Sequence, residues 1–157
     1  MTPSPARGTV RVGLGDTMNF DDIAKMTTQE RRDWLARDEG WGLPGDRAVC
    51  MDGTTGTLTS FARFAPFPSG LTEPQRPRQV QKEHPIPDTL DAAAKALPEG
   101  WLWSRELMFN GTIHWVIRRW DGDQLRALKL SDTGDEKHAR FGLAIAARMA
   151  MKKGAHP

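Results

Sequence analysis

The fold is decided by residues 101–130, which read WLWSRELMFNGTIHWVIRRWDGDQLRALKL. Asn110-Gly111 and Asp121-Gly122 divide this stretch into three runs: Trp101–Leu107, Ile113–Trp120 and Gln124–Leu130. Because Asn-Gly and Asp-Gly readily adopt the positive φ of tight hairpin turns, the spacing predicts an antiparallel three-stranded meander.

Side chains of a strand point alternately to its two faces, so the meander has an apolar and a mixed face. Trp101, Trp103, Ile113, Trp115 and Ile117 share the apolar face, which we expect to pack on helices. The mixed face carries Ser104, Glu106, His114, Val116, Arg118 and Trp120. The third strand is ambiguous, since Leu125 and Ala127 favour one face and Leu128 and Leu130 favour the other. The mixed face is too apolar for a solvent face, so either the N-terminal half or a partner covers it.

A helix is predicted on each side of the meander. Asp88 precedes Leu90, Ala93, Ala94 and Leu97, which have helical spacing, and it fits an N-cap. The last helix is predicted from about Asp135 to Lys153, with Thr133 or Asp135 as its cap and with an apolar stripe of Phe141, Ala144, Ile145 and Met149. The sequence therefore predicts an α+β protein whose C-terminal part is an αβββα two-layer unit.

The first 87 residues predict a smaller and looser region. Thr9–Leu14 is a candidate strand, and Thr27-Thr28-Gln29-Glu30 is a capping-box pattern before a helix ending near Asp38. We expect this helix to pack weakly or by one edge, because its surface is mostly charged. A hairpin is predicted with Arg47–Met51 and Thr57–Phe64 as its two arms. Its second arm is either bulged or leaves the sheet.

The predicted domain organisation has three parts. An N-terminal helix and hairpin region covers residues 1–64, and an αβββα domain covers residues 88–154. Residues 65–87 contain six prolines, which is incompatible with a helix or a central strand. We therefore expect a proline-rich linker, or an extended arm on a surface, between the two.

Charge and composition exclude few classes of function. The 157 residues have a net charge of +2, and the surplus lies entirely in residues 88–157, which hold 11 basic and 9 acidic side chains. Such a small surplus gives little long-range attraction to nucleic acid. We find neither an apolar run that could span a membrane nor a secretory signal, so we expect a cytoplasmic protein without a membrane partner.

The sequence contains no recognisable catalytic or metal-binding motif. His84, His114, His138 and His156 lack metal-ligand spacing, and the single Cys50 has no neighbour that would lower its pKa. Gly13-Leu14-Gly15-Asp16 lacks the remaining residues of a phosphate-binding loop. We therefore expect neither an enzyme nor a cofactor or metal site. The alternative is an enzyme whose site is assembled from residues that lie far apart in the sequence.

One alternative is nucleic-acid binding, because helix, three strands, helix is also the order of a double-stranded-RNA-binding domain. The start of the last helix, Glu136-Lys137-His138-Ala139-Arg140, resembles the basic helix start that such domains set across phosphates. Phe109-Asn110-Gly111-Thr112 lacks their Pro-His signature, and acidic residues lie where phosphates would approach. The candidate contacts are Lys137, Arg140, Lys152 and Lys153.

A second resemblance covers residues 88–154. The Ala-rich helix, the Trp-rich meander and the closing helix over Ala139–Met149 look like those of small phage proteins called the phage ABA sandwich family. This resemblance implies an accessory protein of a phage or mobile element, located in the host cytoplasm. It implies no catalytic residues.

These observations favour a non-catalytic accessory protein that binds another macromolecule, and we expect that partner to be a protein. The candidate interface is the mixed face, with His114, Val116, Arg118 and Trp120. Trp120 beside Arg118 and Arg119 suits an interface, where Trp and Arg are enriched. Trp120 could equally seal a contact with the N-terminal hairpin.

Overall fold

A computed structural model describes residues 20–49, 54–64, 77–131 and 135–154. Its helices are α1 (Phe20–Lys25), α2 (Thr28–Asp38), α3 (Leu90–Ala96) and α4 (Glu136–Gly154). Its strands are β1 (Trp41–Gly42), β2 (Arg47–Val49), β3 (Thr55–Thr57), β4 (Phe61–Phe64), β5 (Pro77–Gln81), β6 (Leu102–Leu107), β7 (Ile113–Asp121) and β8 (Gln124–Ser131). The predicted α+β class is confirmed. The predicted strand at Thr9–Leu14, the loop at Gly13–Asp16, Cys50, Thr133 and His156 lie outside the described residues.

The chain forms two compact units. The described part of unit one comprises residues 20–31, 89–131 and 135–154, and unit two lies within residues 32–88. The first division falls inside α2, between Arg31 and Arg32. Residues 20–31 belong to unit one because α1 packs on α4 and Arg31 donates to the carbonyl oxygen of His138, whereas residues 32–49 and 54–64 belong to unit two.

The meander in unit one is the predicted one. β6 pairs with β7 and β7 with β8, both antiparallel, in the order β6-β7-β8. Gly111 and Gly122 have φ of +87° and +69°, so each hairpin turn uses the left-handed conformation that glycine adopts without strain. Local turn chemistry therefore decides where each strand ends.

The inner face of this sheet forms the core of unit one. Trp115 and Ile117 are almost fully buried, and the pairing places Leu130 and Leu128 beside them. This register resolves the ambiguous third strand. α4 packs on β7 and β8, while α3 and α1 both pack on α4. The expectation that the Trp/Ile face meets the helices is confirmed. α1, which coincides with a helical turn predicted at Asp21–Met26, also packs on α4, and that packing was not predicted.

Two of the three predicted helix N-caps are confirmed, those of α2 and α4. Asp135 Oδ1 accepts the N–H of Lys137 at 3.1 Å, as predicted for α4. The capping box of α2 is also confirmed, since Thr27 and Glu30 exchange bonds of 2.9 and 3.1 Å. The assignment of Asp88 as the cap of α3 is wrong: Thr89 is extended and its Oγ1 accepts the N–H of Ala92 at 3.0 Å. The helix thus begins one residue later than predicted.

α2 contains a buried arginine that its charged pattern did not reveal. Arg31 has no exposed surface, and its guanidinium donates to the carbonyl oxygens of Ile23 at 2.8 Å and His138 at 2.5 Å. Hydrogen bonds to charged groups are worth more than neutral ones, and carbonyl acceptors allow the charge to be buried. The expectation that α2 packs weakly is wrong at this residue.

In unit two, β2 and β3 form a hairpin and β4 pairs with both β1 and β5. The predicted second arm, Thr57–Phe64, is therefore divided between two sheets: Thr57 ends β3, and Phe61–Phe64 form β4 of the other sheet. Of the two predicted alternatives, a bulge or departure from the sheet, the arm departs from the sheet. β5 corrects the linker interpretation at residues 77–81, which pair with β4. Pro77 is tolerated because it begins a strand at the sheet edge, where its missing N–H breaks no ladder.

Gly142 in α4 is expected to be required for the position of Arg31. A Cβ at residue 142 would lie 2.7 Å from Arg31 Nη1 and 2.8 Å from Leu130 Cδ2, and both side chains are enclosed. We predict that Gly142→Ala lowers the free energy of unfolding by about 1–3 kcal/mol in denaturant titrations, despite the better helix propensity of alanine.

Gly56→Ala is the matched control, because a Cβ there meets nothing within 4 Å. It should change stability by less than about 0.5 kcal/mol. Equal stability of Gly142→Ala and the wild type would contradict the enclosed position of Arg31.

Candidate protein-binding surface

The outer face of the meander consists of alternate residues of β6, β7 and β8. Cross-strand pairing aligns Leu102 with Arg118 and Ala127, Ser104 with Val116 and Lys129, and Trp120 with Leu125. All of these residues belong to unit one, and they lie opposite the face that packs on α4.

The four predicted interface residues differ in accessibility. Trp120 is 66% exposed, whereas Val116 is 2% exposed and offers a partner almost no surface. Val116 lies on the central strand, paired with Ser104 on one side and Lys129 on the other. His114 is half-buried, and its Nδ1 has no hydrogen-bond partner among the described residues.

Arg118 is fixed in the middle of this face by side chains of β6. Its Nη2 donates to Glu106 Oε2 at 2.6 Å, and its Nη1 donates to Ser104 Oγ at 2.7 Å. The hydrogen bond from Arg118 holds the pKa of Glu106 below its usual value of 4.5. An arginine held in this way presents a planar cation with little remaining rotamer freedom.

An exposed apolar patch lies at one end of the outer face. We call Leu102, Trp120 and Leu125 the Trp120 patch; Leu102 and Leu125 are 75% and 49% exposed. Leu125 pairs directly with Trp120, and Leu102 is a diagonal neighbour, within reach of an indole ring. Neither leucine was predicted from the sequence, because the face of Leu125 was ambiguous and Leu102 lies between Trp101 and Trp103, which dominate the pattern of that strand.

A second apolar feature lies at the opposite end of the sheet, in the β6–β7 hairpin. Leu107, Met108 and Phe109 are exposed there, and Phe109 is completely so. These residues follow one another in the hairpin, and Leu107 pairs with Ile113 at the end of the inner face. They are therefore separate from the Trp120 patch.

The predicted nucleic-acid residues do not converge on one surface. The Arg140 side chain is only 15% exposed: its Cζ lies 3.3 Å from the centre of the Trp103 ring, and its Nη2 lies 3.3 Å from Glu136 Oε2. It lines a narrow apolar pocket with Trp103 and α3, and desolvation lowers its pKa. Arg140 is thus a packing residue rather than the predicted phosphate contact.

The remaining lysines lie far apart. Lys137 is half-buried in the first turn of α4, and Lys152 is exposed in the last. The helical rise of about 1.5 Å per residue separates them by roughly 22 Å. The side chain of Lys153 lies outside the described part of the structure.

Within the described ranges, no three His, Cys, Asp or Glu side chains come together as metal ligands. His138 Nδ1 is 2.7 Å from Thr28 Oγ1, and His84 is hydrogen-bonded within unit two. In the same part of the chain, every helix is too short or too polar to cross a bilayer.

No protein-family model, curated protein or solved structure matches this chain. The resemblance to phage ABA sandwich proteins therefore stays a prediction, and the candidate surface is argued from its geometry alone.

The ion pair on the outer face gives a titration test. We predict that Arg118→Met raises the pKa of Glu106 towards 4.5 in a carbon-detected NMR titration, because the main stabiliser of the carboxylate is removed. In the wild type, the lowered pKa stabilises the fold above pH 4.5, and this contribution is lost as the pH falls through the folded-state pKa.

Arg126→Met is the control, since Arg126 pairs with Asp121, 3.7 Å away, and not with Glu106. An unchanged Glu106 pKa in Arg118→Met would show that the two side chains are not paired in solution.

Proposed function

We propose that this protein is a non-catalytic accessory protein that binds another protein through the outer face of its meander. The exposed Trp120 patch beside the anchored Arg118 supports this most strongly. Its assignment to a phage or mobile element rests on the family resemblance and belongs to the same proposal.

The composition of this surface suits a binding hot spot. Trp and Arg are the side chains most enriched among residues that dominate binding energy. Trp120 contributes a large rigid ring, and two leucines of the patch extend the apolar area around it. Because Arg118 is already held by Glu106 and Ser104, ordering it in a complex costs little further entropy.

The surroundings of the patch also suit an interface. A specific interface covers roughly 800 Å² on each partner, with an apolar centre and a polar rim. On the outer face, the Trp120 patch would be such a centre, and Ser104, Glu106 and Lys129 would belong to the rim. The hydrogen-bonded strands below hold these side chains in a fixed relation.

The proposal is tested by photo-crosslinking followed by direct binding. A benzoylphenylalanine at residue 120 is expected to crosslink one protein in the cells that express this chain, and the same group at residue 109 is not. With that protein purified, Trp120→Ala and Arg118→Glu should each weaken binding at least tenfold, or about 1.4 kcal/mol. Phe109→Ala is the control, because it removes an aromatic ring that is even more exposed, at the other end of the sheet.

Circular dichroism of both variants should still show the wild-type fold, because Trp120 is exposed and a partly exposed ion pair such as Arg118–Glu106 contributes little to stability. Binding that is unaffected in both variants would refute the proposal. Duplex RNA and DNA are tested in parallel at low salt; binding that falls steeply with salt would instead support the nucleic-acid alternative.

A further inference from the structure

The segment of residues 82–88 in unit two is fastened to α2 through a buried histidine. The His84 side chain is 8% exposed, and its Nε2 lies 2.8 Å from Asp33 Oδ1. Its Nδ1 accepts the backbone N–H of Ile86 at 3.0 Å. The ring also meets Phe61 edge to face, with centroids 4.6 Å apart.

These contacts fix the protonation state of the ring. A backbone N–H can only donate, so Nδ1 of His84 must carry a lone pair towards Ile86. The carboxylate of Asp33 can only accept, so Nε2 carries the hydrogen. The imidazole is therefore neutral, with both nitrogens engaged.

Arg32 also binds the segment of residues 82–88, at the carbonyl oxygen of Ile86. Its Nε and Nη2 donate to the carbonyl oxygen of Ile86 at 3.0 and 2.6 Å. The N–H and C=O of Ile86 are thus both bound by side chains, and the Ile86 side chain is itself buried. Protonation of His84 Nδ1 would turn this acceptor into a donor and place it against the N–H of Ile86.

The charges around His84 oppose each other. From α2, Asp33 favours the protonated ring and Arg32 disfavours it, while Phe61 of β4 is uncharged. Lys82, Glu83 and Asp88 of the segment itself are exposed to solvent. Burial is the largest influence, and it lowers the pKa of His84 below 6.5.

We propose that His84 is an acid-sensitive clasp, which holds residues 82–88 on α2 while its ring is neutral and releases them when Nδ1 takes up a proton. The added proton places two donors against each other at Ile86, so the protonated ring cannot keep this hydrogen bond.

The direction of the pH dependence follows from linkage. The released segment leaves His84 with an ordinary pKa of 6.5, and the docked segment lowers it. Docking is therefore at full strength above pH 6.5 and weakens about tenfold per pH unit down to the docked-state pKa. Below that value no further change arises from His84.

The test uses NMR on the full chain. At pH 7.5 the His84 nitrogen shifts should show the Nε2–H tautomer, and its titration midpoint should lie below 6.5. Exchange protection of the Ile86 amide, corrected for intrinsic rates, should fall about tenfold per pH unit in that window while amides of β7 stay protected. An Nδ1–H tautomer, or protection of Ile86 that is independent of pH, would overturn the proposal.

His84→Asn supplies a second, non-titrating test. An asparagine oxygen can accept the N–H two residues on, as Nδ1 of His84 does, but it takes up no proton in this range. We expect the pH dependence of Ile86 protection to disappear in His84→Asn and to persist in His114→Asn, which changes a histidine of unit one. Persistence in both variants would assign the effect to another group and overturn the proposal.

Discussion

The structure of unit one depends on the burial of the inner side of β7. Trp115 and Ile117 lie two residues apart on the central strand, and each is almost inaccessible to solvent. Trp115 also stacks on Trp103 of the neighbouring strand, with ring centroids 5.8 Å apart. Truncating a buried tryptophan costs about 3–5 kcal/mol, a large part of the stability of a small domain. A register shift of β7 by one residue would bring both side chains to the outer face, because such a shift exchanges the two faces.

The outer face is a consequence of this constraint. Once the odd-numbered residues of β7 face α4, the even-numbered ones face away from it, and Trp120 is carried to the exposed end of the strand. Polar residues of the same face bind one another, since Arg118 donates hydrogen bonds to Glu106 and Ser104. One side of the sheet thus stabilises the fold, and the other combines an anchored cation with an uncovered indole ring.

The features that could be predicted from the sequence are those encoded locally. The turns at Gly111 and Gly122, the cap at Asp135 and the capping box at Thr27 each depend on residues within four positions of one another. The site was only partly predicted: Trp120 and Arg118 are accessible, Val116 is not, and the two leucines of the Trp120 patch required the strand register. The buried Arg31 could not be predicted, because its acceptor at His138 is 107 residues away. The pairing of β5 with β4 is non-local for the same reason, and the surrounding prolines obscured it.

The measurement that most directly tests the two-faced meander is oxidative footprinting of tryptophans with mass spectrometry. Trypsin cleaves after Arg118 and Arg119, so Trp115 and Trp120 fall on separate peptides and their oxidation rates can be compared within one sample. The account predicts rapid oxidation of Trp120 and protection of Trp115 until the protein is unfolded by denaturant. Similar rates for the two tryptophans in the native protein, or faster oxidation of Trp115, would contradict it.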